Sequence, residues 1–162
     1  MKRRSLLRFG AAVPVLTAAA TLPLRSEAAD VRSALTESSL IYLSPVKSDG
    51  QLSSCQSEVW YVMLGADAYV CTATSSWRAQ APRRGLTKTR LWAGDLGYWK
   101  SADYTSLPSA LVDAGIENDP EVNEAALAEF GRKYSAEWGT WEPRFRSGLK
   151  DGTRSMLRYR LA

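Results

Sequence analysis

Apolar and polar positions alternate in short runs over much of this chain, give way to a four-residue spacing, and alternate again at the end. Residues 40–46, Leu-Ile-Tyr-Leu-Ser-Pro-Val, predict a short strand, and the Asp49-Gly50 pair behind them suits a hairpin turn. A second strand is expected over 53–64. It sets Val59, Tyr61 and Met63 on one face against Trp60, Val62 and Leu64 on the other, and apolar side chains on both faces mark a covered, central or barrel strand. A tight turn at Gly65-Ala66-Asp67 leads into a third strand, 68–74. Ser75 and Ser76 then cap a helix over about 77–84, shortened or kinked by Pro82 and ended by Gly85.

Residues 87–94 restart β structure, and Asp95-Leu96-Gly97 turns it into a fifth strand at Tyr98-Trp99-Lys100. The segment 106–138 reads as helical, with one short helix over 107–115. A second helix starts at Asp119-Pro120-Glu121, where an N-cap, a proline and a first-turn acid fall in order. Val122, Ala126, Phe130 and Tyr134 give that helix an apolar stripe, and Trp138-Gly139-Thr140-Trp141-Glu142-Pro143 breaks the pattern. A last strand over 153–161 sets Leu157, Tyr159 and Leu161 against Arg154, Arg158 and Arg160. The pattern describes a mainly β, α+β chain: a small antiparallel barrel with a helical insertion at about 106–138.

Charge changes the picture at the N-terminus. Arg3-Arg4-Ser5-Leu6-Leu7-Arg8 ahead of an Ala-rich, mildly apolar stretch resembles the twin-arginine export consensus, and Ser26-Glu27-Ala28-Ala29 offers small residues for a signal peptidase. Residues 1–29 are therefore expected to be a removable signal read by the twin-arginine translocase. The stretch is too short and too weakly apolar for a comfortable span, so no stable membrane segment is expected. This segment carries five basic residues and one acid, and the whole chain has a net charge of +4. Residues 30–162 thus sit near neutrality, which argues against nucleic acid as a partner and leaves a single exported domain, periplasmic or otherwise extracytoplasmic.

The chain has no histidine, which excludes Ser-His-Asp and Cys-His catalysis and the usual His-based zinc and haem ligand sets. No metal site is expected. Two cysteines, Cys55 and Cys71, could pair in an oxidising compartment. The hairpin at Gly65, however, sets Cys71 roughly opposite Tyr61 and leaves Cys55 on the order of 20 Å away along the strand. Two separate, buried small residues are the expected outcome.

The chemically richest stretch is 69–85. Hydroxyls at Thr72, Thr74, Ser75 and Ser76 lead into a helix start, with Arg78, Arg83 and Arg84 close behind. These are the parts of a phosphate site, and equally of an ordinary capped helix with a solvated basic face. The succession Pro45-Val46-Lys47-Ser48-Asp49-Gly50, Ser57-Glu58-Val59-Trp60-Tyr61-Val62, Tyr69-Val70-Cys71-Thr72-Ala73-Thr74, Ser76-Trp77-Arg78-Ala79 and Arg83-Arg84-Gly85 resembles the pyridoxamine 5′-phosphate oxidase-like family of FMN-binding split barrels. The resemblance covers roughly residues 38–100.

It implies a split β-barrel, usually a homodimer. Thr72, Thr74, Ser76 and Arg78 would hold the FMN phosphate, with Arg84 in support, and Glu58, Val59 and Trp60 would run beside the flavin ring. Trp77 is the tryptophan best placed to stack on it. Residues that would grip pyridoxamine phosphate are not recognisable, so vitamin B6 oxidation is not expected. Relatives on this barrel also use a deazaflavin, bind haem or have lost the cofactor. The resemblance therefore implies an FMN-dependent oxidoreductase acting on a small organic substrate. The alternative is a non-catalytic protein holding a flavin, a tetrapyrrole or another aromatic ligand. No side chain stands out as acid, base or nucleophile, as expected where a cofactor carries the chemistry.

Overall fold

The computed structural model describes residues 27–54 and 56–161. The twin-arginine motif and its apolar stretch lie outside the described residues, as does Cys55. The chain runs α1 (Glu27–Glu37), β1 (Ile41–Pro45), β2 (Ser57–Val59), β3 (Val62–Leu64), β4 (Asp67–Ala73), α2 (Trp77–Arg83), β5 (Lys88–Ala93), a 3-10 turn (Tyr104–Ser106), β6 (Ser109–Glu117), α3 (Pro120–Lys133), α4 (Ser135–Asp151) and β7 (Arg154–Arg160). All strand pairs are antiparallel. The order across the sheet is β2-β1-β5-β6-β7-β4-β3.

Consecutive strands β2 and β3 occupy opposite ends of that order, with only Trp60 and Tyr61 between them. Two residues cannot span a flat seven-stranded sheet, because neighbouring strands stand about 4.8 Å apart. The sheet therefore curls until its ends meet, and Trp60-Tyr61 is the seam of a half-closed barrel. The single strand expected over 53–64 is in fact two. Its first half pairs with β1 (Ile41 opposite Val59), and its second half pairs with β4 (Val62 opposite Tyr69).

Period-two alternation sorts the side chains. Ile41, Leu43, Val70, Leu91, Val112, Leu157 and Tyr159 point into the barrel, where Val31 and Leu35 of α1 and Ala79 of α2 close the core. The opposite face of β3, β4 and β7 is also covered. Val62, Tyr69, Cys71 and Met156 pack there against Ala126, Leu127 and Phe130 of α3, with Tyr134 and Phe145 completing the layer. A third cluster, Tyr42, Trp92 and Tyr104, lies outside β1 and β5.

Several expected features hold. Gly50 and Gly65 take left-handed φ values of 81° and 61° in the two hairpin turns, and Gly85 (φ 80°) ends α2. Asp119 caps α3, its side chain accepting a hydrogen bond from Glu121 N at 2.9 Å.

Three further expectations are corrected. Residues 107–115 are not a helix but the centre of the sheet: β6 pairs with both β5 and β7, and Val112 and Ala114 alternate with exposed Leu111 and Asp113. Tyr98-Trp99-Lys100 is a turn and not a strand. Both neighbours of β5 are already supplied by β1 and β6, and the Tyr42 hydroxyl pins the loop by accepting from Leu96 N (2.9 Å) and donating to Gly97 O (2.8 Å). Pro143 does not end the helical region. It sits inside α4, where the aromatic face Trp138, Trp141 and Phe145 packs on α3 and the sheet and offsets the lost backbone bond.

Candidate ligand-binding site

The seam creates a local problem. Where β2 ends and β3 begins, the peptide groups of Tyr61 have no strand beside them, and buried backbone polar groups need partners. Tyr134, at the junction of α3 and α4, provides them through one hydroxyl. Tyr61 N donates to it at 3.0 Å, and it faces the carbonyls of Tyr61 and Ser39, each at 2.8 Å. Tyr61 is anchored in turn, its own hydroxyl reaching Leu35 O (2.6 Å) and Ser38 O (2.9 Å). Burial pushes the Tyr61 phenol up to about 12 and that of Tyr134 upward as well.

Fixing Tyr134 also fixes Trp60. The two rings stack with centroids 4.3 Å apart and 6° between planes, and Trp141 of α4 meets Trp60 edge-on at 5.8 Å. Beside this aromatic wall lies a cleft of about 330 Å³ lined by Leu40, Glu58, Val59, Trp60, Cys71, Trp141, Phe145 and Arg154. Its walls are largely apolar, with Glu58 and Arg154 as the charged groups. Glu58 is tethered, accepting from Trp99 N at 3.2 Å. Cys71 is a free, buried thiol, and burial pushes it up to about 12, so it stays protonated and is no nucleophile at neutral pH.

Arg154 begins β7, half-buried, opposite Ala73. Its guanidinium lies 5.1 Å from the centroid of Phe145 and 6.0 Å from that of Trp141, and the residue lines the cleft together with Cys71. It makes no ion pair with a described carboxylate. Its stem crosses α4 at Gly148, where a Cβ would stand 2.7 Å from Arg154 Cγ. Arg154 also lines a second, polar hollow of about 270 Å³ shared with Arg83, Glu117, Asn123 and Ser155. The Asn123 Oδ1 is buried there without a hydrogen-bond partner.

The sequence-predicted residues fall into two groups. Glu58, Val59 and Trp60 line the cleft. Thr72, Thr74, Ser76, Trp77 and Arg78 follow Cys71 around the end of β4 into α2 and do not line the cleft; alternation along β4 sets Thr72 on the opposite face of the strand from Cys71. Thr72 Oγ1 is 3.4 Å from Ser76 Oγ, and Thr74 Oγ1 is 2.8 Å from Ser155 Oγ. Ser76 makes no side-chain cap, and Arg78 is half-buried with no ion pair among the described residues. Trp77 buries its Nε1–H without a partner. The exposed Arg84 stacks on the Trp77 ring (5.3 Å) and does not meet the hydroxyls, whereas Arg83 reaches Ser155 Oγ at 3.0 Å.

Arg154, Trp141 and Phe145 were missed from sequence. Alternation in the last strand put Arg154 on the same face as Arg158 and Arg160, and only α4 lying over that face turns it inward.

No family model matches the chain, and no curated protein matches it by sequence. Solved structures do. HutZ, the haem storage protein from Vibrio cholerae, superposes with a TM-score of 0.52 at 13% identity, covering 82% of this chain and 87% of that one. A conserved hypothetical protein from Mycobacterium tuberculosis gives 0.55 at 18% identity, covering 80% and 77%. A haem-binding protein from Mycobacterium smegmatis gives 0.55 at 15% identity, covering 85% and 52%. These likenesses show the fold alone: the chain is an antiparallel α+β split barrel. Among the described residues no group of three or more His, Cys, Asp or Glu side chains is arranged to hold a metal, and no helix is long and apolar enough to cross a membrane.

Proposed function

We propose that this chain is an exported, homodimeric split-barrel protein that binds FMN at the seam cleft and acts as an oxidoreductase on a small organic substrate. The observation that carries the reading is the aromatic cleft between Trp60, Trp141 and Phe145, whose floor residue Cys71 is followed in the chain by the hydroxyl and arginine segment Thr72–Arg78. A volume of about 330 Å³ is at the lower end of small-molecule sites, roughly 300–1,000 Å³, and suits one flat ring system. The residues present fit the group. Trp60 offers a rigid apolar wall, and the side chains of Thr72, Ser76 and Arg78 carry donors of the kind a phosphate takes.

When bound, the flavin supplies hydride or electron transfer. The chain's residues do the rest: Tyr134 stacks on Trp60 and fixes it at the seam, Trp141 and Phe145 of α4 add apolar wall, and Arg154 sets a positive charge beside them. Titration of the purified protein with FMN, followed by flavin fluorescence, tests this. Trp60→Ala and Arg78→Ala are expected to weaken binding by about tenfold or more, one charged hydrogen bond or one aromatic contact each. Unchanged affinity in both variants would remove the placement.

A second reading, a non-catalytic carrier of an aromatic ligand, is favoured by one observation. Nothing in the cleft is poised as acid or base, with Cys71 protonated and Glu58 tethered to Trp99. The names of two structural neighbours, which store or bind haem, point the same way. The chain has no histidine, the usual axial ligand of haem iron, so haem would need another donor here. Bleaching by a reduced donor and reoxidation by an acceptor separates enzyme from carrier.

A further inference from the structure

We infer that the seam cleft selects a ligand bearing an oxyanion, a carboxylate or a phosphate, which pairs with Arg154. This rests on the preceding reading only in taking the cleft as a ligand site, and not on which cofactor fills it. Arg154 is half-buried, lines the cleft wall and has no carboxylate partner among the described residues. Its neighbours are two aromatic rings and a neutral thiol. Rings and a thiol leave most of its donors unmatched, whereas two other arginines of β7 and α4 meet acids. Arg158 meets Asp67 and Arg146 meets Glu124 and Glu142.

Burying a cation away from its counter-ion is costly unless a partner arrives, and a planar guanidinium matches a carboxylate or phosphate in two parallel hydrogen bonds. Gly148 is the second element of the device. A side chain there would meet the Arg154 stem, so the glycine is what lets the arginine lie across α4 toward Trp141 and Phe145. Glu58, the one carboxylate lining the cleft, is tethered to Trp99 N and within ion-pair distance of no described cation, so it leaves Arg154 free for the ligand. An aromatic body on Trp60 with its oxyanion at Arg154 uses both wall types at once.

Calorimetric titration with two matched pairs of probes tests the inference. Indole-3-acetate and indole-3-acetamide differ in charge at a free aromatic acid, and FMN and riboflavin differ in the cofactor phosphate. The acetate is expected to bind at least about tenfold more tightly than the acetamide, the scale of one charge-assisted hydrogen bond. Arg154→Gln should abolish that preference. Gly148→Ala should reduce it without changing any charge, and Arg84→Gln should leave it intact. Circular dichroism and thermal melting establish that each variant is folded. If the phosphate preference of FMN is lost in Arg154→Gln and kept in Arg78→Ala, the oxyanion at Arg154 is the cofactor's. The reverse pattern, together with the indole result, assigns Arg154 to a substrate acid. Equal affinities within both pairs, or a preference that survives Arg154→Gln, would overturn the inference. Failure of FMN to bind while the indole pair discriminates contradicts the proposed cofactor and leaves the inference standing.

Discussion

The hydroxyl of Tyr134 lies 3.0 Å from the backbone nitrogen of Tyr61 and 2.8 Å from its carbonyl oxygen, so one side chain replaces the neighbouring strand that the seam lacks. Tyr134→Phe keeps the ring on Trp60 but leaves a buried N–H and C=O unpaired. Each orphaned group costs about 1–3 kcal/mol, so a loss of about 3 kcal/mol and a melting temperature lower by several degrees are expected. Urea denaturation measures it directly. A loss under about 0.5 kcal/mol would show that the seam is satisfied in another way.

How much of this was legible in the sequence follows from the same residues. The hairpins at Asp49-Gly50 and Gly65, the capped α3 and the alternating β7 could be read because turn chemistry and period are local. The break at Trp60-Tyr61 could not, since an unbroken apolar run looks the same whether it pairs with one strand or with two. Strand β6 was hidden by Ala110, Ala114 and Gly115, which carry little β signal, and α4 by Gly139 and Pro143. Glu58, Val59 and Trp60 were found at the cleft because they sit on a strand. Arg154 was read as an outward charge because nothing in the sequence said that α4 covers it.

Lys133 makes the stability of the protein pH-dependent. Its ammonium lies 3.4 Å from the centroid of the Tyr61 ring, and burial lowers its pKa from 10.5 to about 8. Between those values the unfolded chain binds the proton and the folded chain does not, so stability rises with pH from about 8 to 10. Below pH 8 both states are protonated and the penalty of the buried charge is fully present. Lys133→Met should therefore be more stable than the parent at pH 7, with the difference shrinking toward pH 10. Melting curves across this range check it, and a difference that stays constant contradicts it.

Cys71 should be inert. With its thiol pushed up to about 12, a Cys55→Ser protein is expected to react with a thiol-specific disulfide reagent at pH 8 only after denaturant is added. Labelling at the rate of a free thiol in the native protein would mean that the cleft floor opens.

Asp67, buried at the start of β4, accepts from Arg158 Nε at 2.6 Å across to β7, while the arginine itself is partly exposed. Asp67→Asn is expected to destabilise by about 1–2 kcal/mol, less than a fully buried pair because solvent screens Arg158. Chemical denaturation of this variant beside Lys88→Gln, whose exposed pair with Asp113 should be nearly silent, measures the contrast.

The central claim is that the cleft beside Trp60 holds a flavin. The most direct test is the visible absorption spectrum of the purified protein, followed by chromatography of whatever heat releases. A flavin spectrum, one FMN per chain, and its loss in Trp60→Ala are expected. A colourless protein that also ignores added FMN would contradict it.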